Sequence, residues 1–337
     1  MAILVTGGAG YIGSHMVREL CDNGENVVVL DNLSTGFRNA IPESVPFVLG
    51  DVADSALVNR ILTDHSVSTV IHFAGSAVVT DSMTDPLGYY ANNTCASRSL
   101  IEAAVRNNVR HFIFSSTAAI YGGAGGYSIS EDVPTSPITP YGWSKLMTEI
   151  MLQDAGAAHG LKYAILRYFN VAGADPLMRT GQSTPGATHL IKVAVQAALG
   201  IRPRLEVFGT QFPTSDGSCI RDYIHVTDLV RAHSDAVAYL RGGGESAILN
   251  CGYGRGFSVF DVVRTVQAVS KSTFPVVHAA PRKGDAIVVV AASEKIRNVL
   301  GWSPRFDDLE TIVAHSYAWE RKLTGRRIVG VPCALRR

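Results

Sequence analysis

Two residue types capable of acid and base chemistry lie four positions apart in the segment PYGWSK: Tyr141 and Lys145. If the segment is helical, residues four apart share one face, so the phenol and the ammonium can meet. An adjacent positive charge favours phenolate and brings a pKa that is ordinarily ~10 closer to neutrality. Most such pairs are a half-buried ring beside a solvated amine, so the surrounding motifs must decide whether this pair is a site.

A glycine-rich segment, VTGGAGYIGSH, places Gly7, Gly10 and Gly13 directly after the first apolar run. Glycines permit a tight turn and close approach of the backbone to a pyrophosphate, whose charge faces the N-terminus of the following helix. Asp31 closes the next run, VVVLD, where its carboxylate can accept ribose hydroxyls and repel a 2′-phosphate. The alternatives are an ordinary loop and a helix or turn cap. We predict a dinucleotide site that favours NAD over NADP.

Two further strand ends are candidates for the same site. Asp51 and Val52 follow the third apolar run and could flank an adenine ring. The segment FAG, which comprises Phe73, Ala74 and Gly75, ends the fourth run and offers backbone groups beside a cofactor.

The composition favours a globular protein that acts on small molecules. The chain has 337 residues, of which 47% are hydrophobic, and a net charge of +1, which creates no global field to attract nucleic acid or a membrane surface. Its five cysteines are scattered and contain no C-x-x-C pair, so we expect reduced thiols, no metal site and a cytoplasmic protein. No signal-peptide pattern opens the chain, and no apolar run nears the ~18 residues that span a bilayer.

The first half alternates β-branched runs with longer helical segments, for example 11–23 and 86–108. This pattern predicts an α/β fold, a doubly wound parallel sheet (Rossmann) covered on both faces. We assign residues 1–169 to this domain and 170–337 to a smaller α/β substrate-binding domain. RDYIHV and AILNCG, within 220–253, look like strands that could return to the first sheet.

The glycine pattern, the strand FIFSST and the Y-x-x-x-K pair together resemble the extended short-chain dehydrogenase/reductase superfamily. Within it the chain resembles the UDP-glucose 4-epimerase family along nearly its whole length. The segments that carry this likeness are LVTGGAGYIGSH, VIHFAG, PLGYYANN, FIFSSTAAIYG, PYGWSK, LRYFNVAGADP, FPTSDGSCIRDYIHV and APRKGD.

The resemblance implies a reaction. Tyr141 would be the acid and base, Lys145 would hold the nicotinamide ribose and depress the phenol's pKa, and Thr117 would bind the sugar hydroxyl and relay its proton. NAD would take a hydride from C4 of a UDP-hexose and return it to the opposite face of the 4-keto sugar. The expected assembly is a homodimer built from the helices within 86–108 and 141–159.

The resemblance also implies two sets of contacts. The expected NAD contacts are Gly7, Gly10, Tyr11, Ile12, Gly13, Asp31, Asn32, Asp51, Val52, Phe73, Ala74, Gly75, Asn92, Ser115, Tyr141, Lys145 and Tyr168. The expected UDP-sugar contacts are Thr117, Tyr141, Asn170, His189, Leu190, Arg221, Arg282, Asp285 and Val289. Asn170 and the two arginines would bind phosphate, for which guanidinium is suited by its forked donors.

Several departures from the family pattern leave alternatives open. FAGSAVVTDS lacks the lysine that relatives carry near the cofactor phosphates, and Val289 replaces a bulky tyrosine, which would leave room for an N-acetyl group. The alternatives are C4 epimerisation of UDP-N-acetylglucosamine, a UDP-pentose or a UDP-uronate, and a non-catalytic NAD-sensing protein. A 4,6-dehydratase is disfavoured, because Ala118 and Ala119 stand where those enzymes place an Asp-Glu pair.

Overall fold

The structure is a computed structural model that describes residues 1–123, 126–282 and 286–330. Its strands are β1 (Ala2–Thr6), β2 (Val27–Asp31), β3 (Phe47–Leu49), β4 (Val67–His72), β5 (His111–Thr117), β6 (Gly126–Ile129), β7 (Lys162–Tyr168), β8 (Asn170–Ala172), β9 (Leu205–Phe208), β10 (Ile220–His225), β11 (Ala247–Cys251), β12 (Gly256–Ser258), β13 (Val276–Ala279) and β14 (Val288–Ala291). Its α-helices are α1 (Tyr11–Asp22), α2 (Ser55–Asp64), α3 (Val79–Thr84), α4 (Pro86–Tyr89), α5 (Ala96–Arg106), α6 (Pro140–His159), α7 (Leu190–Ala198), α8 (Val226–Arg241), α9 (Val259–Ser270), α10 (Glu294–Leu300) and α11 (Leu309–Gly330).

Seven parallel strands form the main sheet, in the order β11-β7-β5-β4-β1-β2-β3. Its apolar runs are buried on both faces: Val5 and Val29 point into one core with α1 and α8, while Leu4 and Leu30 point into the other with α2, α5 and α6. Alternating side chains leave a strand on opposite faces, so two cores require unbroken apolar runs. The doubly wound fold predicted from the sequence is confirmed.

The direction of strand addition reverses between β1 and β4, because β2 and β3 lie on one side and β5, β7 and β11 on the other. In open parallel sheets, ligands bind in the crevice at this reversal, beyond the carboxyl ends of the strands. The glycine turn follows β1 and the FAG segment follows β4. The topology therefore places both motifs on the two sides of one crevice.

The second half of the chain contributes to both sheets. AILNCG forms β11 and joins the main sheet beside β7. RDYIHV does not return there. It forms β10 in a second sheet, of order β12-β10-β14-β6, in which β8 also pairs with β10. The prediction for RDYIHV is wrong, because an apolar strand pattern does not identify its partner strand.

Two helices border the crevice. Residues 86–106 form one irregular helical run, in which a π-helix, Tyr90–Cys95, separates α4 from α5. α6 begins at Pro140, where Thr139 Oγ1 accepts the Gly142 N–H at 3.2 Å, and it ends at Gly160 in the left-handed conformation. This start puts the PYGWSK motif in the first turns of a long helix. Across the residues that the structure describes, no helix is long and apolar enough to cross a membrane.

Candidate active site

The glycine turn is built so that no side chain could replace its glycines. Gly7 has φ of +67°, and a Cβ there would lie 2.6 Å from the Ala74 nitrogen. A Cβ on Gly13 would overlap the Gly7 carbonyl oxygen. Gly10 precedes α1, and its carbonyl accepts the Ser14 N–H at 3.0 Å. The turn therefore presents bare backbone at a helix N-terminus, an arrangement that favours phosphate.

Acidic and amide side chains cluster at the ends of β2 and β3. The buried carboxylate of Asp31 accepts N–H groups from Ala9 at 2.9 Å, inside the glycine turn, and from Leu33 at 2.7 Å. Asn32 Nδ2 donates to Asp51 at 2.9 Å. Asp31 thus fixes the turn while lying where a ribose would be recognised. The side chain of the neighbouring Val52 is instead buried in the core beneath.

The loop after β4 passes directly over the amine of Lys145. A Cβ on Gly75 would lie 2.9 Å from Asn93 Oδ1 and 3.7 Å from Lys145 Nζ. Asn93, on the π-helix, accepts the Ser76 N–H at 2.7 Å and donates to Ser144 Oγ at 3.0 Å. Asn93 therefore ties the FAG loop to α6, while Asn92 donates to Ser76 Oγ at 2.8 Å.

The three residues with expected catalytic roles converge and are buried: Thr117, Tyr141 and Lys145. The Tyr141 phenol is hydrogen-bonded to Thr117, at the end of β5. Lys145 Nζ donates to the Ser115 carbonyl at 3.2 Å and lies 5.0 Å from the centre of the Phe114 ring. Strand β5 and helix α6 thus place a phenol, a hydroxyl and an ammonium at one end of the crevice.

Burial is the main influence on the protonation of Tyr141 and Lys145. It raises the pKa of Tyr141, and it lowers the pKa of Lys145 to about 8, an effect that the charge of Glu149 opposes. For the chain by itself, desolvation of the phenolate is the largest influence on the pKa of Tyr141, and the hydrogen bond from Thr117 opposes it. A further positive charge beside the phenol is needed before Tyr141 can ionise near neutrality.

One residue at this site, His233 on α8, had no signal in the sequence. Its Nδ1 lies 2.9 Å from the Leu229 carbonyl and must donate, so Nε2, 3.3 Å from Ser115 Oγ, accepts. Burial lowers the pKa of His233 to about 4, and the ring lies 5.0 Å from that of Phe73. Tyr168 is also hydrogen-bonded to Ser115. A single histidine on an apolar helix face is ordinarily a core residue, which is why the pattern did not identify it.

The first turn of α1 closes the other side of the glycine turn. Tyr11 donates its hydroxyl to the Gly173 carbonyl at 2.7 Å, beyond β8. Ile12 is half-buried against the core. The phenol of Tyr11 thereby links the glycine turn to the second half of the chain.

Three of the expected substrate contacts lie together on the second sheet. Arg221 on β10 is in register with Val289 on β14, so the two side chains are neighbours on one face. Arg221 Nη1 is held by the carbonyls of Ile220 at 2.9 Å and Ile287 at 3.3 Å. Asn170, the first residue of β8, donates to a carbonyl of β10 at 3.4 Å.

The remaining expected contacts lie on other elements. His189 caps the start of α7 and is exposed, with Nδ1 2.9 Å from Gln182 Nε2, and Leu190 packs against the core. The exposed Arg282 stacks 3.9 Å above the ring centre of Phe208. Asp285 lies outside the described residues.

Both a protein-family model and individual known proteins are similar to this chain. The model of the NAD dependent epimerase/dehydratase family matches residues 3–252. UDP-glucose 4-epimerase of Azospirillum brasilense is 56% identical over 321 residues, 95% of this chain and 92% of that protein.

Two solved structures are also similar. The UDP-glucose 4-epimerase from Brucella ovis in complex with NAD has a TM-score of 0.91 and 41% identity, covering 94% of this chain and 97% of that one. The UDP-Glc/GlcNAc 4-epimerase from Campylobacter jejuni has a TM-score of 0.84 and 45% identity, covering 95% and 99%.

Proposed function

We propose that this chain, which belongs to the NAD dependent epimerase/dehydratase family, is an NAD-dependent C4 epimerase that interconverts UDP-glucose and UDP-galactose. The observation that carries the proposal is the convergence of Thr117, Tyr141 and Lys145 beside the glycine turn and the FAG loop. The likeness to UDP-glucose 4-epimerases over nearly the whole chain supports the choice of reaction.

The residues around the crevice fit NAD. The glycines let the turn pack closely against the FAG loop and α1, with backbone N–H groups at the helix N-terminus, and the Asp31 carboxylate lies at the end of β2, where ribose hydroxyls can bind and a 2′-phosphate is repelled. Lys145 and Ser115 lie below the FAG loop, where they would hold the nicotinamide end. When bound, NAD supplies the hydride acceptor and donor for the sugar carbon and places a positive ring near the phenol.

The chain's own part in the reaction is proton transfer and orientation. Thr117 holds the 4-hydroxyl of the sugar, and Tyr141 takes its proton as the carbon is oxidised. After the 4-keto sugar has turned about its diphosphate link and presents its opposite face, Tyr141 returns the proton to the C4 oxygen as the carbon is reduced. Arg221 and Asn170 hold the diphosphate while the sugar rotates, so UDP is bound tightly and the hexose loosely.

The same geometry disfavours elimination of water from the sugar. Ala118 and Ala119 follow Thr117 in a 3₁₀ turn, at the positions where an acid and a base would be required. Dehydration therefore lacks its proton donor and acceptor on this side of the sugar.

The decisive experiment is turnover of UDP-galactose by the purified protein with NAD, followed by NMR as UDP-glucose appears. A panel of UDP-pentoses and UDP-uronates, run in parallel, identifies the preferred sugar. We expect UDP-galactose to reach equilibrium with UDP-glucose without net formation of NADH. Binding of NAD and UDP-galactose without conversion would instead favour a non-catalytic NAD-sensing protein.

A second substrate is favoured by one observation. Val289 is a small side chain in register with Arg221 and partly buried against the cluster that contains Ile120 and Tyr121, and it occupies less volume than a tyrosine would at this position. A relative of 45% identity is named a UDP-Glc/GlcNAc 4-epimerase. We therefore propose that UDP-N-acetylglucosamine also reacts. Val289→Tyr should slow that substrate at least about tenfold while sparing UDP-galactose, because a bulky ring excludes an added acetyl group. Equal rates on both sugars in the variant would contradict this proposal.

We also propose that the protein is a cytoplasmic homodimer. The outer face of α6 exposes Trp143, Met147 and Ile150, and neighbouring helices expose Met83 and Leu87. A cluster of exposed apolar side chains of this kind marks a protein interaction surface. The cytoplasmic assignment is supported by the scattered cysteines, which contain no C-x-x-C pair.

A further inference from the structure

A buried acid, Glu149, continues the face of α6 that carries the proposed catalytic pair. It lies one helical turn beyond Lys145 and two turns beyond Tyr141, so the three side chains share one side of the helix. Glu149 is fully buried. Arg167 on β7 donates to its carboxylate through Nε at 3.2 Å and through Nη2 at 2.7 Å. Residue spacing alone does not identify Glu149 as part of the site.

The same carboxylate is bonded to the strand that carries the active site. The Ser116 hydroxyl donates to Glu149 Oε1. Ser116 lies between Ser115, whose carbonyl accepts from Lys145, and Thr117, which is hydrogen-bonded to Tyr141. Glu149 therefore contacts β5 at the residue between two groups of the site.

The ion pair also reaches the substrate side of the cleft. Arg167 Nη1 donates to the Tyr121 hydroxyl at 2.9 Å, Tyr121 donates to Asn250 Oδ1 at 2.7 Å, and Asn250 Nδ2 donates to the Ile129 carbonyl at 2.8 Å. Ile129 belongs to β6, which pairs with β14, the strand of Val289. A continuous buried network thus runs from α6 to the second sheet.

Stability does not account for such a pair. Replacing a buried ion pair by apolar side chains of similar volume is often neutral or stabilising, because desolvation of the two charges offsets their attraction. We propose that Glu149 is a positioning residue of the epimerisation, whose carboxylate keeps the Lys145 ammonium protonated and holds β5 against α6 through Ser116. This inference rests on the proposed function.

The charges around Lys145 support an electrostatic role. Burial alone pushes the amine toward its neutral form, and Glu149 is the group that raises its pKa. Arg167, the counter-ion of Glu149, is bound to that carboxylate. The remaining titratable side chains around Lys145 and Ser115 are neutral, because burial lowers the pKa of the histidines and raises that of the tyrosines: His72 on β4, His233 on α8, Tyr141 on α6 and Tyr168 on β7.

The test is the pH profile of kcat for Glu149→Gln, measured on UDP-galactose with NAD bound. Glutamine retains the size and an acceptor for Ser116 but removes the charge. We expect the alkaline limb to move down by about one pH unit, which lowers kcat about fivefold at pH 8 and leaves KM within about twofold. An unmoved limb would overturn the proposal.

The double variant Glu149→Gln with Arg167→Met separates two causes of such a shift. It removes the unpaired guanidinium that the single variant leaves behind. The limb should still lie below that of the wild type, because the carboxylate is absent. If the alkaline limb of the double variant lay at the wild-type position, the unpaired charge of Arg167, and not the loss of Glu149, would be the cause of the shift in the single variant.

Glu320→Gln is a matched control. Glu320 on α11 is also buried and pairs with Lys192 at 2.5 Å on α7, and neither helix carries Thr117, Tyr141 or Lys145. The Glu320→Gln variant should lose stability toward urea to a similar degree as Glu149→Gln, and the alkaline limb of its pH profile should stay where it is in the wild type. An equal shift in this control would show a general effect of core charge loss and reject the proposal.

A second readout does not depend on turnover. NMR of ¹³C-labelled lysine, with the Lys145 signal assigned by its loss in Lys145→Met, reports the pKa of the amine directly. It should fall in Glu149→Gln and stay unchanged in Glu320→Gln. An inactive wild type would contradict the proposed function, whereas an active wild type with an unaltered Lys145 pKa in Glu149→Gln would contradict this inference alone.

Discussion

At the residue scale, the site holds a phenol whose surroundings oppose its ionisation. Tyr141 is buried, and its pKa is raised by desolvation. The phenol becomes a useful base only if a cation adjoins it, and the buried amine of Lys145 is directed to the Ser115 carbonyl. The raised pKa favours the neutral phenol in the chain by itself, so a positive charge close to Tyr141 would favour its ionisation.

Tyr141→Phe tests the role of the hydroxyl with little change in packing. The ring also contacts Tyr89 edge to face, with centroids 6.5 Å apart. We expect kcat for UDP-galactose to fall by about 10³-fold, because general acid–base groups contribute about 10²–10⁴. NAD content, measured by absorbance after denaturation, should stay unchanged.

Tyr89→Phe is the matched control, since it removes a neighbouring phenol that donates to the Val78 carbonyl at 2.5 Å. It should retain activity within a few-fold. Undiminished epimerisation by Tyr141→Phe would remove Tyr141 from the mechanism.

Residue spacing predicted part of the site, for a local reason. Tyr141 and Lys145 share a helix face because residues four apart lie on the same side of an α-helix. Glycines at a turn indicate a position where a side chain would not fit. His233 and the Glu149 network could not be found this way. Their partners lie far along the chain, on strands and loops that only the folded sheet brings together.

At the element scale, the glycine turn and α1 act as one unit. Gly13 lies in the first turn of α1 against the Gly7 carbonyl, so the close approach of helix and turn depends on the absence of a Cβ. Gly13→Ala should push α1 away from the turn and weaken NAD binding at least about tenfold, because the backbone could no longer wrap a pyrophosphate closely. Calorimetric titration with NAD measures this without reference to turnover.

Gly24→Ala provides the comparison for that variant. Gly24 follows the other end of α1, has φ of +74°, and a Cβ there would meet no heavy atom within 4 Å. It should cost about 1 kcal/mol of stability from backbone strain and leave NAD affinity unchanged. Equal NAD affinities for wild type and Gly13→Ala would show that the turn does not hold the cofactor.

The sequence predicted which segments form strands better than it predicted which strands pair with each other. The apolar runs of β1, β2 and β4 predicted buried parallel strands because both faces of such a sheet are covered. RDYIHV was recognisable as a strand, but its neighbours are β8, β12 and β14, which are separated from it in sequence. Strand pairing is a non-local choice, so a local pattern cannot determine it.

At the scale of the whole molecule, the exposed face of α6 predicts self-association. Met147→Glu places a charge at the centre of the Trp143–Ile150 stripe, and burying that charge between protomers would be costly. We expect sedimentation velocity to give a dimer for the wild type and a monomer for the variant. Leu177→Glu, at an exposed leucine elsewhere, should remain dimeric. A monomeric wild type would exclude the homodimer.

The molecule also buries an unusual number of neutral histidines. His15, His72, His225 and His233 are each at most 4% exposed. Burial lowers the pKa of His15 and His233 to about 4, that of His72 to about 3 and that of His225 well below its usual range. Three of them bond to other elements: His72 to Thr6 on β1 and Ser97 on α5, His225 to His315 on α11, and His233 to Ser115 on β5. His15 bonds within α1, to the Tyr11 carbonyl. Protonation of these buried rings therefore opposes the folded state.

This burial predicts loss of stability in mild acid. The unfolded chain binds protons at these histidines below pH ~6.5, whereas in the folded chain His15 and His233 do so only near pH 4 and His72 near pH 3, so the free energy of unfolding falls as the pH drops below ~6.5. Each histidine contributes a slope of about 1.4 kcal/mol per pH unit, and four act together. Urea unfolding between pH 5 and 8 measures the slope. His72→Gln should reduce it by one proton and His159→Gln, at an exposed helix end, should not. A free energy of unfolding that stays constant from pH 7 to 5 would contradict the prediction. Over that range the unfolded chain is stabilised by binding protons that the folded chain excludes.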